Sequence, residues 1–268
     1  KAYGIDRTSK RTDSCCVATS QNKLHARTRS LSTVEESSVH FVGISLPKLS
    51  KQSMSLEREE DQQTANKILD APKLKDDFYN NLLDWNKDDL IAISLGNVAY
   101  FGGAQQRGLE IAEGRISCVK WSQKQLAIGD ENGTVRIFDV EKKKMISRYN
   151  NHLGRVGTID FNHNIMATGS KDERIMLTDI RTSMPHCKFY GHRQEVCGVK
   201  FSFDDAYLAS GGNDNAVYIW SPKMAKQIVR FDKHVAAVKG LAWSPHKHSL
   251  LVSGGGTTDK SIKLWNAQ

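Results

Sequence analysis

The sequence predicts an all-β fold, a β-propeller built from repeated four-stranded units. Three observations predict it: short apolar runs fill the chain from Ile68 onward, Gly, Asn and Asp clusters separate them, and the pattern recurs with a long period. Runs of four to eight apolar or β-branched residues bounded by such clusters are strands, and neighbouring runs joined by a short polar turn are hairpins. The runs include "LIAISLGNVAYF", "QLAIGD", "TVRIFDV", "IMATGS", "RIMLTDI", "YLASGG", "AVYIW", "SLLVSGG" and "SIKLWN".

The period is measured from the unit ends. Phe138-Asp139, Thr178-Asp179, Trp220-Ser221 and Trp265-Asn266 are offset by 40, 42 and 45 residues. A repeat of about 40 to 45 residues, each unit holding four strands, is the signature of WD40 propeller blades. A glycine-histidine-like signal precedes three units, at His152 in "NHLGRV", His192 in "GHRQEV" and His234 in "KHVAAV". An aspartate, Asp172, Asp214 or Asp259, then falls six or seven residues before each unit's end. The segment "NLLDWNKDDLIAISLGNVAYF" is one further repeat without its histidine, so about five blade units are present, over 67–268.

The spacing predicts a buried hydrogen-bonded chain in each complete blade, because every buried polar group needs a partner. One chain is His192, Ser210, Asp214 and Trp220; the next is His234, Ser253, Asp259 and Trp265. The unit ending at Asp179 carries Thr178 where tryptophan is expected, which leaves its chain incomplete. His, Ser and Asp recurring once per blade are structural tetrads rather than a hydrolase triad, since a triad is one convergent site and not a periodic feature. Phosphate-binding, nucleophile-elbow, zinc-protease and kinase motifs are all missing, and His163, His186, His246 and His248 share no metal-ligand spacing. The expectation is a protein that is not an enzyme, with no cofactor and no metal.

Residues 1–66 differ in kind. Stretches such as "KLHARTRSLSTVEESS" are rich in Ser, Thr, Lys, Arg and Gln, with one short apolar run, "VHFVGISL". Such a segment cannot bury enough apolar surface to offset its chain entropy, so a mostly disordered basic tail is expected. Neither a membrane span nor an apolar signal core is present, which makes the chain an intracellular protein by expectation. Five cysteines, with only Cys15 and Cys16 adjacent, make no disulfide framework. The net charge of +8 bears on solubility and encounter more than on identity, and neither nucleic acid nor membrane is expected as a partner.

The longer stretches "KILDAPKLKDDFYNNLLDWNKDDLIAISLGNVAYF", "GHRQEVCGVKFSFDDAYLASGGNDNAVYIW" and "HVAAVKGLAWSPHKHSLLVSGGGTTDKSIKLWN" resemble the Fizzy and Fizzy-related family, the WD40 coactivators of the anaphase-promoting complex. The resemblance runs from about Ile68 to Asn266. It implies a seven-bladed propeller whose top face captures degron peptides, partnered by subunits of the complex and by degron-bearing cell-cycle substrates in nucleus and cytoplasm. It also implies that this chain is cut short at its C-terminus, since about five of seven blades are present. Asp77 in "DDFY", Asn213 and Asn215 in "GGNDN" and Thr257 in "GGGTTD" match the lining of the Lys-Glu-Asn degron pocket. Asp77 suits a lysine ammonium, and the asparagine amides both donate and accept. Leu69 and Asp70 of "LDAP" match the first-blade half of the destruction-box site; the other half has no counterpart. Of the family's N-terminal docking motif only Asp6 and Arg7 remain in "DRTSKRT", and the Ile-Arg tail is absent. Each residue also has a local reading: Asn213, Asn215 and Thr257 suit turns, and Asp77 suits a local cap. The alternative to an adaptor is a short regulatory or structural paralogue, or a WD40 scaffold, that delivers no substrate.

Overall fold

The computed structural model describes residues 70–268, apart from 73, 103–106, 111–113 and 183. The expected tail, the Asp6-Arg7 pair, Cys15, Cys16 and Leu69 lie outside the described residues. Among the described residues, nineteen strands form five antiparallel sheets and there is no α-helix.

The first sheet holds β1 (Leu83–Trp85), β2 (Ile91–Leu95), β3 (Val98–Gly102) and β4 (Arg107–Glu110). The second runs from β5 (Ile116–Ser122) through β6 (Gln125–Asp130) and β7 (Val135–Asp139) to β8 (Lys144–Tyr149). The third runs from β9 (Val156–Asn162) through β10 (Ile165–Ser170) and β11 (Arg174–Asp179) to β12 (Met184–Tyr190). The fourth comprises β13 (Val196–Phe201), β14 (Leu208–Gly212), β15 (Val217–Ser221) and β16 (Lys226–Phe231). The fifth has three strands, β17 (Val238–Trp243), β18 (Leu250–Gly255) and β19 (Ile262–Asn266). Every sheet is a meander in sequence order, because turns of a few residues can join only antiparallel neighbours. Ladder irregularities recur too, at Ile116/Cys118, Val196/Gly198 and Val238/Gly240 in first strands and at Ile137/Phe138, Leu177/Thr178 and Ile219/Trp220 in third strands. Such bulges sharpen the local twist at the same place in each unit.

An apolar core fills each of the four junctions between consecutive sheets. Trp121 and Phe138 lie between the first and second, Ile137 and Met166 between the second and third, Leu177 and Trp220 between the third and fourth, and Ile219 and Leu251 between the fourth and fifth. A sheet with neighbours on both sides buries both faces, so β15 is buried at all five positions. β19, with a neighbour on one side, alternates between exposed and half-buried. The same reasoning covers Leu83 and Trp85 of β1, which are exposed while the intervening Asp84 is turned toward the second sheet. Burying one such side chain fully stabilises by about 1.5–3 kcal/mol, so the inner three sheets carry most of the fold's cohesion.

Glycine and valine set how closely the sheets approach. A Cβ on Gly169 would lie 2.6 Å from Val196 Cγ1, and one on Gly211 would lie 2.5 Å from the Val238 carbonyl oxygen. Each glycine is the next-to-last residue of the second strand of one sheet, and each valine opens the first strand of the next. Charge pairs add register: Asp84 accepts from Lys120 Nζ and the Trp121 amide, both at 2.8 Å, and Asp160 accepts from Lys200 Nζ and the Phe201 amide, both at 2.9 Å.

Two tetrads are complete. In the fourth sheet the Trp220 indole N–H donates to Ser210 Oγ at 2.8 Å, Ser210 lies 2.8 Å from His192 Nε2, and His192 Nδ1 lies 3.0 Å from Asp214 Oδ1. In the fifth, Trp265 Nε1 donates to Ser253 Oγ at 2.7 Å, Ser253 lies 2.6 Å from His234 Nε2, and His234 Nδ1 is bonded to Asp259. The third sheet keeps His152, Thr168 and Asp172. There Asn151 Nδ2 donates to Thr178 Oγ1 at 3.3 Å, so the hydroxyl standing in place of the indole still has a partner. The second sheet has Ile128 and Phe138 at the hydroxyl and indole positions, and its buried polar pair is instead Asp130 with Arg136 at 2.5 Å. An apolar pair removes the need for partners as effectively as a tetrad meets it.

Candidate functional site

The segment before β1 places Asp77, Phe78, Tyr79 and Asn80 against sheets far along the chain. Asp77 N-caps a tight turn: its carboxylate accepts the Tyr79 amide at 3.0 Å, and the Asn80 amide donates to its carbonyl at 3.1 Å. Lys239 of β17 donates from Nζ to the carbonyls of Phe78 at 2.7 Å and Asn80 at 2.8 Å, and its ammonium sits 5.5 Å from the Phe78 ring centroid. Burial lowers the Lys239 pKa. The fifth sheet thus holds the segment that precedes the first.

Asp77 and Asn213 are brought together through two intermediaries. The Tyr79 hydroxyl donates to Asn213 Oδ1 at 2.9 Å, across 134 positions of sequence. Arg155 Nη1 donates to Asp77 Oδ2 at 3.1 Å while its Nε and Nη2 grip both oxygens of Glu195 at 3.0 and 2.9 Å. The guanidinium also stacks 5.1 Å above the Tyr79 ring. Glu195 in turn accepts the Asn213 amide on its backbone carbonyl at 2.8 Å, and Asn213 Nδ2 donates to Gln194 Oε1 at 2.5 Å. Burial opposes the charge on Asp77, but the Tyr79 amide, Lys75 and Arg155 outweigh it and hold the carboxyl below the usual range. A cleft of about 490 Å³, lined by Glu131, Leu153, Gly154, Arg155, Lys171 and Asp172, opens beside this network.

The other expected residues are not joined to this network. Asn215 occupies the left-handed region at φ 63°, and its amide closes the turn on the Gly212 carbonyl at 3.2 Å. Asparagine accepts that backbone at little cost, which explains its place between strands. Thr257 is exposed at the tip of the β18–β19 hairpin, and no hydrogen bond joins it or the Asn215 side chain to Asp77 or Asn213. Asp70 is exposed at the start of the described segment. Asp214, between the two asparagines, is committed to His192 and to the Arg193 amide at 2.9 Å.

Sequence reasoning missed Arg155, Glu195, Tyr79 and Lys239. A signal for two of them exists: three residues beyond the repeat histidines stand Arg155, Glu195 and Ala237, an opposite-charge pair in adjacent units. Among the described residues no cluster of His, Cys, Asp or Glu could hold a metal ion, and Ser210 and Ser253 are fully buried. A hydroxyl sealed in the core between an indole and an imidazole has no room for a substrate. Burial pushes the Cys118 and Cys197 thiols up to about 12, so both are neutral.

The family model described as CDC20/Fizzy WD40 domain matches residues 69–268. The chain is 43% identical over 208 residues to "Protein FIZZY-RELATED 1" of Arabidopsis thaliana, covering 75% of this chain and 44% of that protein. It is 40% identical over 206 residues to "APC/C activator protein CDH1" of Saccharomyces cerevisiae, covering 75% and 36%. The match thus spans less than half the length of these relatives. A solved chain described under "Crystal Structure of Mitotic Checkpoint Complex" superposes with a TM-score of 0.73 at 37% identity, over 76% of this chain and 68% of that one.

Proposed function

The chain belongs to the CDC20/Fizzy WD40 family, and from that premise we propose that it is a substrate-recognition adaptor and activator of the anaphase-promoting complex, acting in nucleus and cytoplasm. It performs no bond chemistry and binds Lys-Glu-Asn degron peptides on the face that carries Asp77, Asn213, Asn215 and Thr257. The observation that carries this reading is the 2.9 Å bond by which Tyr79 ties the Asp77 turn to Asn213. A carboxylate for an ammonium and an amide for a peptide group are thereby held on one rigid support. Asn213 still has one N–H and one lone pair to offer beyond its bonds to Gln194 and Tyr79. The test is a fluorescence titration with a Lys-Glu-Asn peptide. The wild type binds saturably, and Asn213→Ala combined with Asn215→Ala weakens binding about tenfold or more, the range for losing two buried-edge hydrogen bonds. Equal affinity for both proteins removes the asparagines from the site.

A second reading, a regulatory or structural interaction protein that delivers no substrate, is favoured by the occupancy of Asp77, whose oxygens already accept from Tyr79, Lys75 and Arg155. Reconstituted ubiquitination separates the two. An adaptor stimulates modification of a degron-bearing substrate; a regulator leaves it unchanged or competes with a known coactivator.

A further inference from the structure

Around Asp77 charged side chains are crowded. Three carboxylates, Asp77, Glu131 and Glu195, are ion-paired with Lys75 and Arg155, while Lys239 stands near enough to Asp77 to feel its charge and Arg115 lines the cleft that Lys75 and Glu131 share. Arg155 is fixed, with its fork on Glu195 and its remaining nitrogen on Asp77. Lys75 is not fixed. Its side chain is 45% exposed, and its ammonium is shared between Asp77 Oδ2 at 3.1 Å and Glu131 Oε1 at 3.3 Å. Lys75 and Glu131 also line one cleft of about 370 Å³, floored by Leu82 and Ile116, which leaves room for the lysine stem to swing. Of the two cations paired with Asp77, both at 3.1 Å, Lys75 is therefore the one more easily moved.

We infer that Lys75 is a built-in competitor for the cation that Asp77 binds, and that Glu131 is the seat to which it retreats. The inference rests on the proposed peptide site. A ligand ammonium that enters at Asp77 takes the place of Lys75 there, and Lys75 moves wholly onto Glu131. No desolvated charge is left unpaired in the exchange, which is what makes it inexpensive. Lys75 then sets a threshold: a ligand whose cation is poorly placed does not displace it. Specificity of this kind comes from a competing contact rather than from a better one.

The test uses the whole 268-residue chain, a labelled Lys-Glu-Asn peptide and a second peptide with norleucine in place of its lysine. Lys75→Met binds the first peptide about two- to fivefold tighter, the range set by one exposed ion pair. Glu131→Gln binds it more weakly, because Lys75 then stays on Asp77, and in the Lys75→Met background the Glu131 substitution has no effect. The norleucine peptide shows no gain from Lys75→Met, a difference that a merely structural role for Lys75 does not produce. Lys75 is largely exposed, so unchanged melting of the variants is the control for folding. Weaker or equal binding of the first peptide by Lys75→Met overturns the inference while leaving the peptide site standing. Failure of Asp77→Asn to weaken the wild-type interaction overturns both.

Discussion

Replacing Ser210 by alanine tests whether the tetrads hold the sheets together. Ser210 Oγ is fully buried and serves two partners at 2.8 Å, the Trp220 indole N–H and His192 Nε2. Removing it leaves a donor and an acceptor without partners inside the core between the third and fourth sheets. Each orphaned group costs about 1–3 kcal/mol, so Ser210→Ala costs about 2–6 kcal/mol. The matching change in the fifth sheet, Ser253→Ala, costs less. His234 is as buried as His192, but Trp265 is only half-buried, so its indole N–H can turn to water and one group rather than two is stranded. The difference is about 1–3 kcal/mol. Equilibrium urea denaturation followed by tryptophan fluorescence measures it, with the Ser210→Ala midpoint below that of the wild type by roughly 1–3 M for a slope near 2 kcal/mol per M. Ser210→Thr restores the wild-type midpoint, because Thr168 fills the same role in the third sheet at 2.8 Å from His152 Nε2. Equal costs at Ser210 and Ser253, or a larger one at Ser253, refute the reasoning that burial of the indole sets the penalty.

Three further outcomes follow from the geometry. Gly211→Ala destabilises by about 1–3 kcal/mol through collision with the Val238 carbonyl, whereas Gly254→Ala, where a Cβ meets nothing within 4 Å, leaves the urea midpoint unchanged. Asp172 is held at about 2, since hydrogen bonds from His152 and the Leu153 amide outweigh burial; a depressed carboxyl contributes stability above its unfolded value near 3.8 that is lost as pH falls toward 2. Melting temperatures recorded from pH 5 to pH 2 therefore drop less steeply for Asp172→Asn than for the wild type. Asn215→Gly keeps the left-handed turn at φ 63° and removes the amide, so the melting temperature stays put while Lys-Glu-Asn peptide binding weakens; loss of stability without loss of binding counts against a recognition role.

The repeat was legible because it is written in residue types with narrow physical uses. Histidine, hydroxyl, aspartate and tryptophan at fixed spacing have one economical arrangement in a meander, and Gly-rich turns mark its corners. Thr178 shows the limit of that reading. A missing tryptophan predicts an incomplete chain, yet Asn151, from outside the pattern, supplies the partner. At the second sheet the polar chain is replaced by Ile128 and Phe138 and by a buried Asp130–Arg136 pair. Spacing alone does not reveal that substitution, because an apolar solution leaves no polar signature.

The candidate site divides in the same way. Which residues have the chemistry to hold a peptide is a property of side chains, and Asp77, Asn213, Asn215 and Thr257 were nameable from their motifs. What Asp77 and Asn213 do in the fold depends on neighbours brought from other sheets, Arg155 at 78 positions from Asp77 and Tyr79 at 134 from Asn213. Strand order, turn positions and the identity of the tetrads are local and periodic, so the sequence by itself determined them. That Arg155 clamps Asp77 to Glu195, that Lys239 holds the turn carrying Asp77, and that Lys75 already occupies its carboxylate were decided only by the tertiary structure. The physical reason is that long, flexible cations choose partners by proximity in space, and proximity between sheets is created when apolar faces pack.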